Sequence, residues 1–292
     1  MQVRFWGVRG SIAVPGPSTV RYGGNTTCIE VLMNSGERLI LDAGTGIFPL
    51  AQSLLSEMPL QAHIFITHTH WDHIQGLPFF IPLFVPGNQI SIYGAYDPIS
   101  QRGIDEILSV QMQYRFYPVR ESELKAEVKS VSLQDGQKVQ VGGAVITPVM
   151  MNHPVIDFGY RIEGDGQSLF FTGDHEPISN IYGPSDEPYD QYEQLVQERR
   201  QGLIEAIQGV DMLIADSAYT EDEFASKQGW GHGTHDSSID LARAAGVRTL
   251  VMTHHEPTRT DDALDGLFLE IRKRHGHKLE LVMAHEGLVL EP

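Results

Sequence analysis

The sequence predicts an α/β protein of the αββα sandwich type, with two packed mixed β-sheets flanked by helices. Three observations carry this. The first half is mainly a series of short apolar or β-branched runs separated by Gly, Pro, Ser and Asn. The last third alternates helical and strand patterns. Both regions contain apolar strands, which can be covered only if two sheets pack together beneath helices.

In chain order, strands are expected at Val3–Trp6, Thr27–Met33 and Arg38–Leu41, and a helix at Ile47–Ser56. Ala62–Thr67 reads as a buried strand running straight into His68. Pro78–Pro86 is apolar and Pro-rich, suiting a loop or lid better than a regular helix. Ile104–Gln113 has helical spacing, and strands return at Ala126–Val131, Lys138–Val141, Ala144–Met150, Phe158–Glu163 and Ser168–Thr172. Three helix–strand pairs follow: Gln191–Ile207 with Met212–Ala215, Ser237–Ala245 with Thr249–Met252, and Asp262–His275 with Leu279–Met283. No internal repeat is evident.

Composition narrows the function classes. Hydrophobic content of 41% and charged content of 20% are ordinary for a globular chain with a sizeable core. Met1–Ser11 lacks the apolar run of a signal peptide. No stretch of about 18 apolar residues predicts a membrane span. Cys28 is the only cysteine, which excludes disulfide frameworks and cysteine-rich zinc modules and fits a reducing, cytoplasmic setting. The net charge of −17 opposes binding of a long nucleic acid, whose phosphates need Lys and Arg. It does not oppose a small phosphate ester, because bound divalent metals supply local positive charge.

The chemistry concentrates in His68-Thr69-His70-Trp71-Asp72-His73, directly after an apolar strand. The strand end fixes the backbone, and the turn lets alternate side chains converge. His68 and His70 can reach one metal; Asp72 and His73 can reach a second. Such a set suits zinc, with manganese or iron also accepting it. Three further ligand-type residues, His153, Asp174 and His254, each follow an apolar strand.

This order of ligands resembles the metallo-β-lactamase superfamily over nearly the whole chain, including Leu41-Asp42-Ala43-Gly44, which in that superfamily supports the metal loop. The resemblance implies a single domain over residues 1–292 and two divalent metal ions, zinc first. His68, His70 and His153 would hold one ion, and Asp72, His73 and His254 the other. Asp174 would bridge them, and Asp72 and Asp174 would share in catalysis.

A narrower resemblance to the tRNase Z and small phosphodiesterase branch rests on Gly231-His232-Gly233-Thr234, Ala245-Gly246-Val247 and Leu250–His254. Phe5-Trp6-Gly7 and Gly23–Thr27 fit it as well. Gly233 stands where the branch has Ser, and His235 is an added imidazole. In that branch the turn histidine, here His232, approaches the scissile phosphate as a catalytic residue. A helix start there would also offer N–H groups to a phosphate oxygen. The chain lacks a basic, Gly-rich tRNA-gripping arm, so a small or cyclic nucleotide-type phosphodiester is the expected substrate. Residues at about 79–120 would form a cap, and the exposed apolar run Phe79–Val85 would pair two copies into a homodimer.

Other readings keep the metals but cleave a lactone, thioester or β-lactam, use one iron for sulfur oxidation, or keep the fold without catalysis. Blander roles are expected for several residues. His63 is a strand side chain, and His175 and His255 are neighbours or supports of ligands. His235 flanks a helix. His275, His277 and His285 are surface or packing residues. Tyr114–Tyr117 is core or lid packing, and Arg9 and Arg21 are solvated.

Overall fold

The computed structural model describes residues 1–99, 101–276 and 279–292. His277 lies outside them. The chain begins with three antiparallel strands, β1 (Gln2–Gly7), β2 (Cys28–Leu32) and β3 (Arg38–Leu41). Helix α1 (Ile47–Ser53) then leads to β4 (Gln61–Phe65), which pairs parallel to β3. A four-residue helix α2 (Trp71–Ile74) follows, then β5 (Gln89–Ala95), α3 (Asp105–Gln111) and β6 (Glu127–Leu133).

A meander of β7 (Val139–Val141), β8 (Ala144–Met150), β9 (Phe158–Gly164) and β10 (Gln167–Phe171) starts the second half. There follow α4 (Tyr189–Ile207), β11 (Met212–Asp216), α5 (Glu221–Phe224), α6 (His235–Ala244), β12 (Thr249–Thr253), α7 (Asp261–His275), β13 (Glu280–Met283) and β14 (Val289–Leu290).

The strands form two seven-stranded mixed sheets, in the orders β14-β1-β2-β3-β4-β5-β6 and β13-β12-β11-β10-β9-β8-β7. Each sheet joins an antiparallel part to a parallel part. In the first sheet, β1, β2 and β3 are antiparallel, and β3 to β6 are parallel. In the second, β7 to β10 are antiparallel, and β10 to β13 are parallel. This shared plan is a repeat of architecture that the sequence does not display. No helix among the described residues is long and apolar enough to cross a membrane.

Alternation along the strands builds three apolar layers. Leu39 and Leu41 of β3 face Leu169 and Phe171 of β10 across the central core. Ile40 points outward beneath α1, and Phe170 points outward beneath the helices of the second sheet. The parallel strands of both sheets carry their functional loops at their carboxyl ends, along one edge of the sandwich.

Several expectations change here. Pro78–Pro86 forms two 3-10 turns, Leu77–Phe79 and Ile81–Phe84. Phe80 and Leu83 are completely buried in the layer under α1, so from Phe79 to Val85 only Phe79 is exposed. The run is therefore mostly internal packing rather than the exposed face on which pairing was expected. Within the expected cap, Gln89–Ala95 is a strand of the first sheet. Tyr114 and Phe116 are exposed to solvent.

Arg9 is not solvated but completely buried. It donates to the carbonyls of Gly23 (2.8 Å) and Arg259 (2.7 Å) and lies 3.7 Å from Asp261. It thereby ties the β1–β2 connection to the segment before α7. Replacing one member of a buried charged network leaves its partners unsatisfied. Arg9→Met is expected to lower unfolding free energy by roughly 3–5 kcal/mol in urea titration. An unchanged midpoint would show that this tie does not hold the two segments.

Candidate metal centre

His68 and His70 come from the turn after β4, Asp72 and His73 from α2 that follows it, Asp174 and His254 from the turns after β10 and β12, and His153 from the loop after β8. Thr67 is held by Asp42, whose Oδ1 accepts the Thr67 backbone N–H at 2.8 Å. The turn after β4 is thus anchored to the turn after β3. Asp42 adopts a left-handed φ of 62°, an uncommon state for a non-glycine residue. Its Oδ2 accepts from His73 Nδ1 at 2.7 Å, which turns His73 Nε2 toward the centre. The support expected of Asp42 is therefore present.

Two groups result. His68, His70, His153 and Asp174 offer ligand atoms within 4.8 Å of one another. So do Asp72, His73, Asp174 and His254. Asp174 belongs to both. Its Oδ2 lies 3.6 Å from His68 Nε2 and 3.9 Å from His153 Nε2. Its Oδ1 lies 3.2 Å from His73 Nε2 and 3.1 Å from His254 Nε2. His70 Nδ1 stands 3.1 Å from His153 Nε2. Asp72 Oδ2 is 3.3 Å from His254 Nε2 and accepts the Ser11 N–H at 2.6 Å.

The donor set fits two cations. His68 Nε2, His73 Nε2 and Asp174 Oδ1 are buried with no hydrogen-bond partner. An unmade bond of this kind costs about 1–3 kcal/mol per group, a cost that a bound cation removes. Burial lowers the pKa of His68 to about 3 and of His153 to about 4, so both are neutral imidazoles with a lone pair to give.

Three residues outside the expected set complete the geometry. Asp157 Oδ2 sits 2.7 Å from His68 Nδ1 and orients that ring. The Gly231 carbonyl accepts from His153 Nδ1 at 2.9 Å. Gly231 has φ 92°, and a Cβ there would lie 2.2 Å from His153 Nδ1, so only glycine allows this approach. Asp216 Oδ2 accepts from His232 Nδ1 at 3.0 Å, and its Oδ1 is 3.6 Å from His254 Nδ1. Asp216 ends the apolar strand β11, the same signal that singled out Asp174 and His254, and could have been found that way. Asp157 precedes its strand and carries no such signal.

His232 lies beside both groups, 3.6 Å from Asp174 Oδ2. It precedes α6 rather than starting it. Thr234 caps that helix by accepting the Ser237 N–H at 2.9 Å, and the His235 N–H donates to Tyr219 O at 3.0 Å. These amides are engaged inside the protein, so the expected anion-binding helix start is not available at those positions. His232 itself supplies the charge. Burial would lower its pKa, but Asp216 and Asp174 outweigh this and raise it to about 9.

The remaining histidines have structural partners. His63 lies 3.3 Å from the Tyr93 hydroxyl, His235 donates to Tyr219 O, and His255 donates to Ala284 O. The His175 backbone N–H donates to Asp216 Oδ2 at 3.1 Å. His275 pairs with Asp236, and His285 contacts the Glu286 carbonyl. Arg21 is exposed and paired with Asp262 and Asp265.

Asp174 is the carboxylate shared by the two groups, so Asp174→Ala is expected to reduce metal content at both positions. Asp157→Asn should weaken mainly the His68 position, by about 10- to 100-fold in affinity. Metal analysis after graded chelation separates the two. Two tightly held ions in Asp174→Ala would exclude the bridging role.

A family model described as the beta-lactamase superfamily domain matches residues 37–255. Ribonuclease Z of Haloarcula marismortui is 25% identical, covering 99% of this chain and 96% of its own length. The metallo-beta-lactamase fold protein YhfI of Bacillus subtilis superposes with a TM-score of 0.68 at 20% identity, covering 99% of each chain. The short form of human tRNase Z superposes with a TM-score of 0.64 at 19% identity, covering 100% of this chain and 99% of its own. With a matched domain that contains both ligand groups, this chain belongs to the metallo-β-lactamase superfamily and is a metal-dependent hydrolase of that fold.

Proposed function

We propose that the protein hydrolyses small phosphodiesters, including cyclic nucleotide-type diesters. The observation that carries this reading is the Asp216–His232 pair beside the two ligand groups. A proton donor next to a site for two cations matches the needs of phosphodiester cleavage, in which negative charge builds on phosphate oxygens and on the leaving oxygen.

His68, His70 and His153 would hold one ion, Asp72, His73 and His254 the other, with Asp174 between them. Two such ions, with zinc the leading candidate, supply positive charge for phosphate oxygens and bring the pKa of water toward neutrality. Asp157, Asp42 and the Gly231 carbonyl keep three of the imidazoles aimed inward. Asp216 holds His232 by Nδ1, and Nε2 remains without a protein partner among the described residues. From that nitrogen a proton can pass to the leaving oxygen.

Substrate size follows from charge and surface. A chain of net charge −17 repels extended polyphosphate backbones. Trp71 and Trp230 adjoin His70 and Gly231 in sequence and are 63% and 61% exposed. They offer aromatic faces on which a base can stack. The ribonuclease Z relatives are named for cleavage of RNA, which also proceeds at a phosphodiester.

His232→Ala is expected to retain both ions while lowering the rate on alkyl-type diesters by roughly 10²–10⁴. The loss should shrink for a p-nitrophenolate leaving group, which needs little protonation. Equal losses on both, or none, would rule out acid catalysis by His232.

The pH profile gives an independent check. His232 is protonated below its raised pKa and loses its proton as pH rises through it. Bound cations move that value downward. Asp216→Asn removes the neighbouring charge that raises it most, so the alkaline loss of activity on alkyl diesters should move to lower pH. An unmoved alkaline limb would separate Asp216 from proton transfer.

A further inference from the structure

The outer face of the second sheet is incompletely packed beneath α4. This helix runs for 19 residues, yet only Val196 and Ile207 on it are buried. The 10-residue α6 beside it buries four. Between α4, α6 and the ends of β10 and β11 lies a cavity of about 500 Å³, within the range of roughly 300–1,000 Å³ typical of small-molecule sites.

The cavity walls are mainly apolar, formed by Met150, Met151, Leu195, Leu203 and Leu241, with Asn152, Thr172, Ser237 and Ser238 as polar lining. Leu195 remains 39% exposed and Met150 37%, so the folded chain leaves apolar surface here uncovered. His175 and Asp216 also line it. The Asp216 carboxylate contacts His232 and His254. None of the seven expected metal ligands lines the cavity.

Its rim is cationic. Arg199 and Arg200 are adjacent on α4, line the cavity and are exposed. The three glutamates of the same helix are engaged by side-chain amides. Glu193 accepts from Asn180 and Gln197, Glu198 from Gln194, and Glu205 from Gln201. Neither arginine has a carboxylate partner among the described residues. Asp240, the one other charged group at the rim, lies 4.0 Å from Arg243. In a chain of net charge −17, two adjacent unpaired guanidiniums over an apolar cavity are complementary to one kind of ligand. That ligand has an anionic head for the arginine pair and an aliphatic body for the methionine and leucine walls.

We propose that this cavity binds an amphipathic anion, a carboxylate or phosphate headgroup bearing a medium-length aliphatic chain. The headgroup sits at Arg199 and Arg200, and the chain lies against Met151, Leu203 and Leu241. This site does not depend on the reaction assigned to the metal centre.

The test uses the full-length, metal-loaded protein with methyl-labelled methionine, titrated with decanoate below its micelle threshold. Saturable shifts of the Met150 and Met151 methyls are expected. Affinity should rise from hexanoate to decanoate by about fourfold for each methylene added. Acetate, which can reach the metals but has no chain, should leave these methyls unmoved. Decyltrimethylammonium, with the same chain and opposite charge, should bind at least tenfold more weakly. The surface double variant Arg199→Glu/Arg200→Glu should raise the Kd for decanoate at least tenfold, and Leu203→Trp should abolish the shifts by filling the cavity.

Absence of saturable shifts would overturn the proposal. So would equal binding of the cationic analogue, or an unchanged Kd in the double variant. Shifts that follow protein concentration without decanoate would mean that a second copy covers the cavity, and the proposal would fall.

Discussion

The carboxylate of Asp174 is completely enclosed, and the imidazoles of His68, His73, His153, His232 and His254 all lie within 4 Å of it. Burial by itself would drive this group to its neutral form. Its histidine neighbours, His254 and His73 foremost, reverse that and hold its pKa well below the ordinary carboxylate value. Ionised Asp174 is therefore tenable only where these rings converge. The convergence requires the two sheets to approach closely, and Gly173 permits it. With φ 61° and a Cβ position 2.7 Å from Asp157 Oδ1 and 2.9 Å from Thr67 Cβ, no larger residue fits there unmoved.

Around that carboxylate the imidazoles are aimed by a second set of groups. Asp157 orients His68, Asp42 orients His73, Asp216 orients His232, and the Gly231 carbonyl orients His153. Each partner takes one ring nitrogen and so decides which nitrogen faces the centre. The same arrangement separates the electrostatic fates of the rings. His68 and His153, dominated by burial, are neutral, whereas neighbouring carboxylates raise the pKa of His73, His254 and His232. One cluster thus provides both ligands with free lone pairs and a proton donor.

The arrangement stores backbone strain. Asp42 and His254 both occupy left-handed φ values, 62° and 60°, costing on the order of 1–3 kcal/mol each for non-glycine residues. Both sit immediately after a strand of a sheet that packs on a buried apolar core. The strands hold what the turns would not adopt alone. Placing the ligands at strand ends therefore does two things: it gathers groups distant in sequence, and it lets sheet packing offset the strain of the site.

Much of this was legible in the order of residues. Alternation and turn residues specified most strands, with Arg38–Leu41 and Ala144–Met150 matching the structure end to end, because side-chain period is a local property. The ligand candidates His68, His70, Asp72, His73, His153, Asp174 and His254 were readable because each is a ligand-type residue near the end of an apolar run. Strand β5 was hidden inside a stretch read as a cap, and Phe80 and Leu83 were read as lid surface, since burial depends on what lies above a segment and not on its composition. Asp157 and Asp216 acquire their roles only through His68 and His232, partners 89 and 16 residues away in the chain. The solvated reading of Arg9 failed for the same reason. The sequence by itself determined most of the strands and helices and which residues could bind metal. Only the tertiary structure decided which nitrogen each ring presents, which imidazoles burial keeps neutral, and where a cavity remains, because these depend on distances between separate strands and helices.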